Sequence, residues 1–192
     1  MTSSCNNSQE KEKAAVGDSV DIARDIEQED STLIFENNTD KWLDLSLNNT
    51  IGSWQKFRLK EFWYDDSMRK QPFSPAPGFY RDYAPLLRWS PDSSYILDVG
   101  SYGKVLIKDK EGNIKIEDGE VDTKTSLIFP KKNSSAELIF LGAAGSIIDG
   151  HWIDSTQFSL LGTFDQKGDQ HPDTLLWIID AKEKFFRKYK WE

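Results

Sequence analysis

The strongest constraint on this chain is an internal echo. Trp89-Ser90-Pro91-Asp92-Ser93-Ser94-Tyr95-Ile96-Leu97-Asp98-Val99-Gly100 is followed by Trp152-Ile153-Asp154-Ser155-Thr156-Gln157-Phe158-Ser159-Leu160-Leu161-Gly162. Aligned on Asp92 and Asp154, the shared core reads Asp-Ser-Ser/Thr-x-Ile/Phe-x-x-Val/Leu-Gly. Repetition of a strand–turn–strand unit sets the architecture before any single residue is interpreted. The echo continues, because Val105-Leu106-Ile107-Lys108-Asp109 matches Leu176-Trp177-Ile178-Ile179-Asp180. The second copy carries an insertion around Gln166-Lys167-Gly168-Asp169-Gln170-His171-Pro172, a lengthened loop and so a candidate contact site.

Around this echo the chain predicts strand after strand from Leu86 onward: 86–90, 94–100, 103–109, 113–117, 125–129, 137–142, 147–153, 157–164, 174–180 and 184–190. Polar turn sequences such as Pro91-Asp92-Ser93-Ser94 separate them. Upstream, Thr32-Leu33-Ile34-Phe35 reads as a strand, and Leu43, Leu45 and Leu47 alternate with polar residues at period two. Phe57, Leu59 and Trp63 share one face of a further strand. Residues 65–85 carry Pro72, Pro75, Pro77 and Pro85 with several aromatics, which predicts an irregular crossing pinned to the core. The expected fold class is mainly β, with antiparallel meander sheets in one domain over 31–192.

The charge of −8 is uneven: residues 1–40 hold ten acidic against three basic side chains, and the rest is nearly neutral. Residues 1–30 lack Phe, Trp and Tyr and read as a flexible acidic tether, with Val16, Val20, Ala23 and Ile26 as one short helical stripe. A basic face for nucleic acid is not implied. No apolar run approaches the roughly 20 residues of a membrane span. The single cysteine, Cys5, excludes an internal disulfide and a cysteine-rich zinc site.

Three resemblances follow from particular residues. Thr2-Ser3-Ser4-Cys5 followed by a polar run resembles the cleavage site of a bacterial lipoprotein. That resemblance implies lipid attachment at Cys5, a membrane partner, and a cell-envelope location, with the cytoplasm as the alternative. Arg88-Trp89-Ser90-Pro91-Asp92-Ser93, a glycine turn, and a strand ending in Asp109-x-x-Gly112-Asn113 resemble a blade of a TolB-like or WD40-like β-propeller. His151 to Tyr189 resembles a poorer second copy. The resemblance implies blade-like repeats in a partial propeller or a sandwich, since closure needs four or more blades. Gly52-Ser53-Trp54 resembles the start of a lipocalin-like barrel, which would imply an apolar ligand.

Chemistry is thinly represented. No nucleophile elbow, phosphate loop or zinc-protease motif occurs. Asp149, His151 and Asp154 form the one constellation worth testing for catalysis, because i and i+2 on a strand face the same way. No metal site, cofactor or catalytic residue is expected. Trp63, Tyr64, Phe79, Tyr80, His171 and Trp191 are the candidate partner or ligand contacts. The expected function is a non-enzymatic cell-envelope binding or assembly module, with a protein among the candidate partners and an oligomeric state the sequence does not specify. The alternatives are an immunity or inhibitor protein acting on a secreted toxin or hydrolase, and a carrier of an apolar ligand.

Overall fold

The computed structural model describes residues 7–66, 68–111 and 114–192; Cys5, Gly112 and Asn113 lie outside them. Two helices lead the chain: α1 spans Asn7–Glu36 and α2 spans Thr39–Ser46. Twelve strands follow, with a one-turn helix, α3 (Phe79–Asp82), between the second and third. They are β1 (Phe57–Tyr64), β2 (Lys70–Pro72), β3 (Leu87–Trp89), β4 (Ile96–Asp98), β5 (Lys104–Lys108) and β6 (Ile114–Asp118). After them come β7 (Thr123–Phe129), β8 (Ser134–Gly142), β9 (Gly145–Trp152), β10 (Gln157–Phe164), β11 (Asp173–Asp180) and β12 (Phe185–Trp191). Among the described residues no helix is long and apolar enough to cross a membrane.

All strand pairs are antiparallel. One sheet runs β1-β12-β11-β10-β9, a second runs β2-β8-β7-β4-β3, and β5-β6 stands apart as a two-stranded hairpin. The fold is mainly β, as expected, and each of the ten strands anticipated after Leu86 overlaps an observed one. No sheet closes into a barrel or a propeller. Gly52-Ser53-Trp54 enters a 3-10 turn, and Trp54 packs on Tyr189 with centroids 5.0 Å apart, so the lipocalin-like expectation is corrected.

The two sheets face each other across a common core. Leu97, Leu127 and Phe129 from one meet Trp152, Phe158, Leu160, Trp177 and Phe186 from the other. Strand β11 is apolar on both faces: Leu175, Trp177 and Ile179 point into this core, and Leu176 and Ile178 into the next. That second core lies under the helices and includes Ile34, Leu43, Trp54, Phe57 and Tyr189. A third, smaller cluster covers the outer face of the other sheet, where Phe73, Phe79 and Tyr83 of the proline-rich crossing pack on Leu87, Ile96 and Ile128. The crossing is therefore a lid of aromatics, and burying them offsets its missing backbone donors.

Three expectations about the front of the chain are corrected. Thr32–Phe35 forms the last turn of α1, and the Leu43–Leu47 stretch lies in and just after α2. The boundary at residue 30 disappears, because the helix runs through it with Ile26, Asp30 and Ile34 buried. Residues 26, 30 and 34 are spaced one turn apart, so they share a face. Asn38 adopts φ 56, the left-handed conformation that separates α1 from α2.

The helix is fixed by a buried polar hub. Asp30 is fully buried and accepts from Arg187 Nη1 at 2.5 Å and from the Tyr189 hydroxyl at 2.5 Å. Arg187 also donates to Gln157 Oε1 at 3.1 Å. Burial raises Asp30 above the usual carboxylate range, although Arg187 and Tyr189 oppose that. Burial next to Asp30 holds the Tyr189 phenol far above its usual range. At the helix edge, Leu59 N–H donates to Glu27 Oε1 at 2.8 Å and Trp54 Nε1 to Ser31 Oγ at 2.9 Å.

The echo diverges at its tryptophans. Trp89 is cross-strand from Ile96, and Trp152 from Phe158. Yet Trp89 is 48% exposed and Trp152 only 8%. Ile96 faces the outer aromatic cluster, whereas Phe158 faces the inter-sheet core. The first copy also stops being a sheet, because β4 pairs with β7 and not with β5. The poorer second copy is the one that builds a continuous four-stranded meander, β9-β10-β11-β12.

Removing one member of the hub leaves a buried charge without its partner, which costs about 3–5 kcal/mol. Asp30→Ala is expected to lower the unfolding free energy by about that amount in urea titrations. A change below about 1 kcal/mol would show that α1 is not held here.

Candidate functional site

The six aromatic and imidazole side chains singled out above do not converge on one place. Trp63 is half-buried and stacks on Phe186, with centroids 5.2 Å apart, toward the inter-sheet core. Tyr64 is 66% exposed and stacks on Phe185 at 4.7 Å. Phe79 packs on Phe73 and Tyr83, whereas exposed Tyr80 leans toward Trp89 at 5.9 Å. Trp191 sits edge-on to Phe57, with Lys56 Nζ 5.1 Å from its ring centre. His171 is exposed in the β10–β11 loop, and its backbone N–H donates to Asp169. Of the seven tryptophans, Trp89 is the exposed one.

Asp149 and His151 share the helix-facing side of β9. Asp149 accepts from Trp42 Nε1 at 3.0 Å and from Arg88 Nη2 at 2.8 Å. His151 stacks on Trp42 with centroids 5.3 Å apart and planes 17° apart. Burial lowers the imidazole below the usual histidine range, and the Asp149 charge pulls the other way. Asp154 is elsewhere engaged, accepting the backbone N–H groups of Thr156 and Gln157 in its own turn. The three side chains act as a docking point for α2 and a turn cap. Among the described residues no group of three or more His, Cys, Asp and Glu side chains could hold a metal ion.

Two of the clefts of ligand size differ in character. The larger, about 670 Å³, lies between the β5–β6 hairpin and the start of β9. Its charges answer one another: Lys104 pairs with Asp118, Arg88 with Asp149, and Lys124 lies over the Tyr102 ring at 4.2 Å. Glu120 raises the Tyr102 phenol above its usual range. A cleft with compensated charge holds little net attraction for a charged ligand.

The second cleft, about 330 Å³, is different in kind. Its floor is Met68, Tyr95, Phe129 and Ala181, and its rim carries Lys70, Lys131, Lys132, Lys182 and Lys184. No carboxylate lines it among the described residues. Met68, Phe129 and Ala181 are buried by the inter-sheet packing, so the floor is rigid. The lysines come from four places: β2, the 3-10 turn Pro130–Lys132, and both sides of the β11–β12 turn. Asn133 and Lys184 take φ 44 and φ 54, tight turns that end the segments bearing these side chains. Lys70 Nζ lies 4.3 Å from the Phe129 ring centre, and Lys182 meets Glu183 at 3.5 Å. An aromatic edge adjoins the cleft. Phe62, Tyr64 and Phe185 cluster there, and the Asp65 N–H donates to the Lys184 carbonyl at 2.9 Å.

The sequence reading named Tyr64 among the candidate contacts and named none of the lysines. Five lysines spread over more than a hundred positions leave no local charge run, and the near-neutral body conceals them. Only the meeting of two sheet ends brings them together.

The His151 environment predicts a pH dependence. An unfolded histidine binds its proton near ~6.5, whereas the folded one resists until lower pH. The unfolded chain therefore holds more protons in that window, and stability falls as pH drops below ~6.5. Urea midpoints measured from about pH 7.5 to about pH 5.5 should fall less in His151→Gln than in the parent. Comparison of the chain with known proteins returns no matching family model, no matching curated protein and no matching solved structure.

Proposed function

We propose that this chain is a non-catalytic binding module whose lysine-rimmed cleft takes a ligand that joins an anionic head to an apolar body. The observation that carries this reading is the gathering of five lysines, with no carboxylate in the lining among the described residues, over an apolar floor of Met68, Phe129, Tyr95 and Ala181. The lysines attract the head, and the floor removes the body from water. The engagement of Asp149, His151 and Asp154 in structural contacts supports the non-catalytic half of the reading.

Titration with anilinonaphthalene sulfonate, an anionic amphiphile, tests it. Lys131→Glu/Lys132→Glu should weaken binding about tenfold or more, and added salt should weaken binding to the parent. Equal binding by the double variant, or salt-independent binding, would remove the proposal.

We propose further that the module works at a bacterial envelope, anchored through Cys5, on the strength of Thr2-Ser3-Ser4-Cys5 and the polar run after it. The blade-type repeat enters the same reading as the origin of the β9–β12 meander, the scaffold behind the cleft. Radioactive fatty acid supplied to the native host should label the parent and not Cys5→Ser; an unlabelled parent would place the protein elsewhere.

A further inference from the structure

The β5–β6 hairpin stands outside both sheets, and among the described residues its strands pair only with each other. A lone two-stranded hairpin is marginal in water. This one also exposes Val105, Leu106, Ile107 and Ile114, at 46%, 38%, 43% and 42%. Its two outer edges are not alike. The β5 edge is engaged, because the Tyr83 hydroxyl donates to the Lys104 carbonyl at 3.0 Å. The β6 edge has no ladder partner among the described residues.

The ladder parity says which β6 groups face outward. Gly119 N–H donates to the Gly103 carbonyl at 2.7 Å, one step beyond the Lys104–Asp118 pair. Residues 105, 107, 115 and 117 therefore aim their backbone groups inward, and 114, 116 and 118 aim theirs out. The engaged, outward carbonyl of Lys104 agrees with this parity.

The sequence of that edge is Ile114-Lys115-Ile116-Glu117-Asp118. It complements itself when turned about Ile116. Lys115 then lies opposite Glu117 of the partner and Glu117 opposite Lys115, while Ile116 meets Ile116. Leu106, the neighbour of Ile116 within the hairpin, extends the apolar row on both sides. Sliding the pairing to a centre at 115 sets Lys115 against Lys115, and a centre at 117 sets Glu117 against Glu117. Like charges directly opposite are destabilising, so the charges select one register.

We infer that the β6 edge pairs antiparallel with the same edge of a second copy of this chain, making a four-stranded β5-β6-β6-β5 sheet about a two-fold axis at Ile116. Such an isologous contact closes on itself, so it yields dimers and not fibres. It also gives an exposed edge a use that suppresses wrong pairings.

Sedimentation equilibrium of the 192-residue chain tests the inference. The parent should dimerise reversibly, and Lys115→Glu should raise the dimer dissociation constant about tenfold or more. Lys115→Glu/Glu117→Lys restores the complementarity and should restore the dimer. An equimolar mixture of Lys115→Glu and Glu117→Lys should give a heterodimer. Ile116→Cys in a Cys5→Ser background should form a disulfide-linked dimer, because paired backbones here fall within disulfide reach. A parent that stays monomeric throughout, or a dimer indifferent to Lys115→Glu, would overturn the inference. So would a double variant that associates no better than Lys115→Glu.

Discussion

The contact between Asp30 and the Arg187–Tyr189 pair is the one on which the arrangement of layers depends. It joins the first helix to the last strand, across 157 and 159 positions of chain. A fully buried carboxylate is unfavourable unless its acceptors are filled, and here both oxygens are. The contact is directional, so it sets the rotation of α1 over the sheet as well as its adhesion. With that rotation set, Ile26 and Ile34 are buried and Trp54 meets Ser31. The outer face of the β1–β12 sheet is then largely covered without any apolar segment long enough to announce it.

The layers in turn decide which surfaces remain for binding. One sheet is covered by helices and the other by the aromatic crossing, so both outer faces are largely occupied. What is left are the ends of the sandwich and the hairpin that belongs to neither sheet. At one end, turns from both sheets bring lysines above a packed apolar floor. On the other element, a short strand keeps its backbone groups open and places Lys115 and Glu117 on one face. These surfaces follow from the same packing, because residues not used between the layers are the ones left to face outward.

The comparison of the two echo copies separates what a repeat conveys from what it does not. Asp92 accepts the Ser94 N–H, and Asp154 accepts the Thr156 N–H, so the turn chemistry is common to both. The strands flanking those turns are common as well. The environment is not: the first copy packs under the aromatic crossing, and the second runs through the middle of the molecule. Trp89 and Trp152 thus hold the same position in a hairpin and different positions in the fold. Pairing of β4 with β7 in place of β5 is a choice between distant segments, and it frees β5 and β6 as a separate hairpin.

Alternation, turn residues and the echo were enough, from sequence, to specify a mainly antiparallel β chain and to locate the strands after Leu86, because these signals act within a few residues. The helices were misread for a physical reason. Asp30 sits at the centre of the packing face of α1, so the apolar stripe is broken where burial is deepest. Leu43 and Leu45 mimic a strand period, although in α2 Leu43 is buried and Leu45 is exposed. Among the candidate contacts, Tyr64 was legible as a surface aromatic, whereas Trp63, one residue away, faces the core. The lysine-rimmed cleft, the Asp30 hub and the solitary hairpin were decided only by tertiary structure. Each depends on which distant backbone segments meet, and that is settled by the total burial and charge pairing of the folded chain, which no local pattern records.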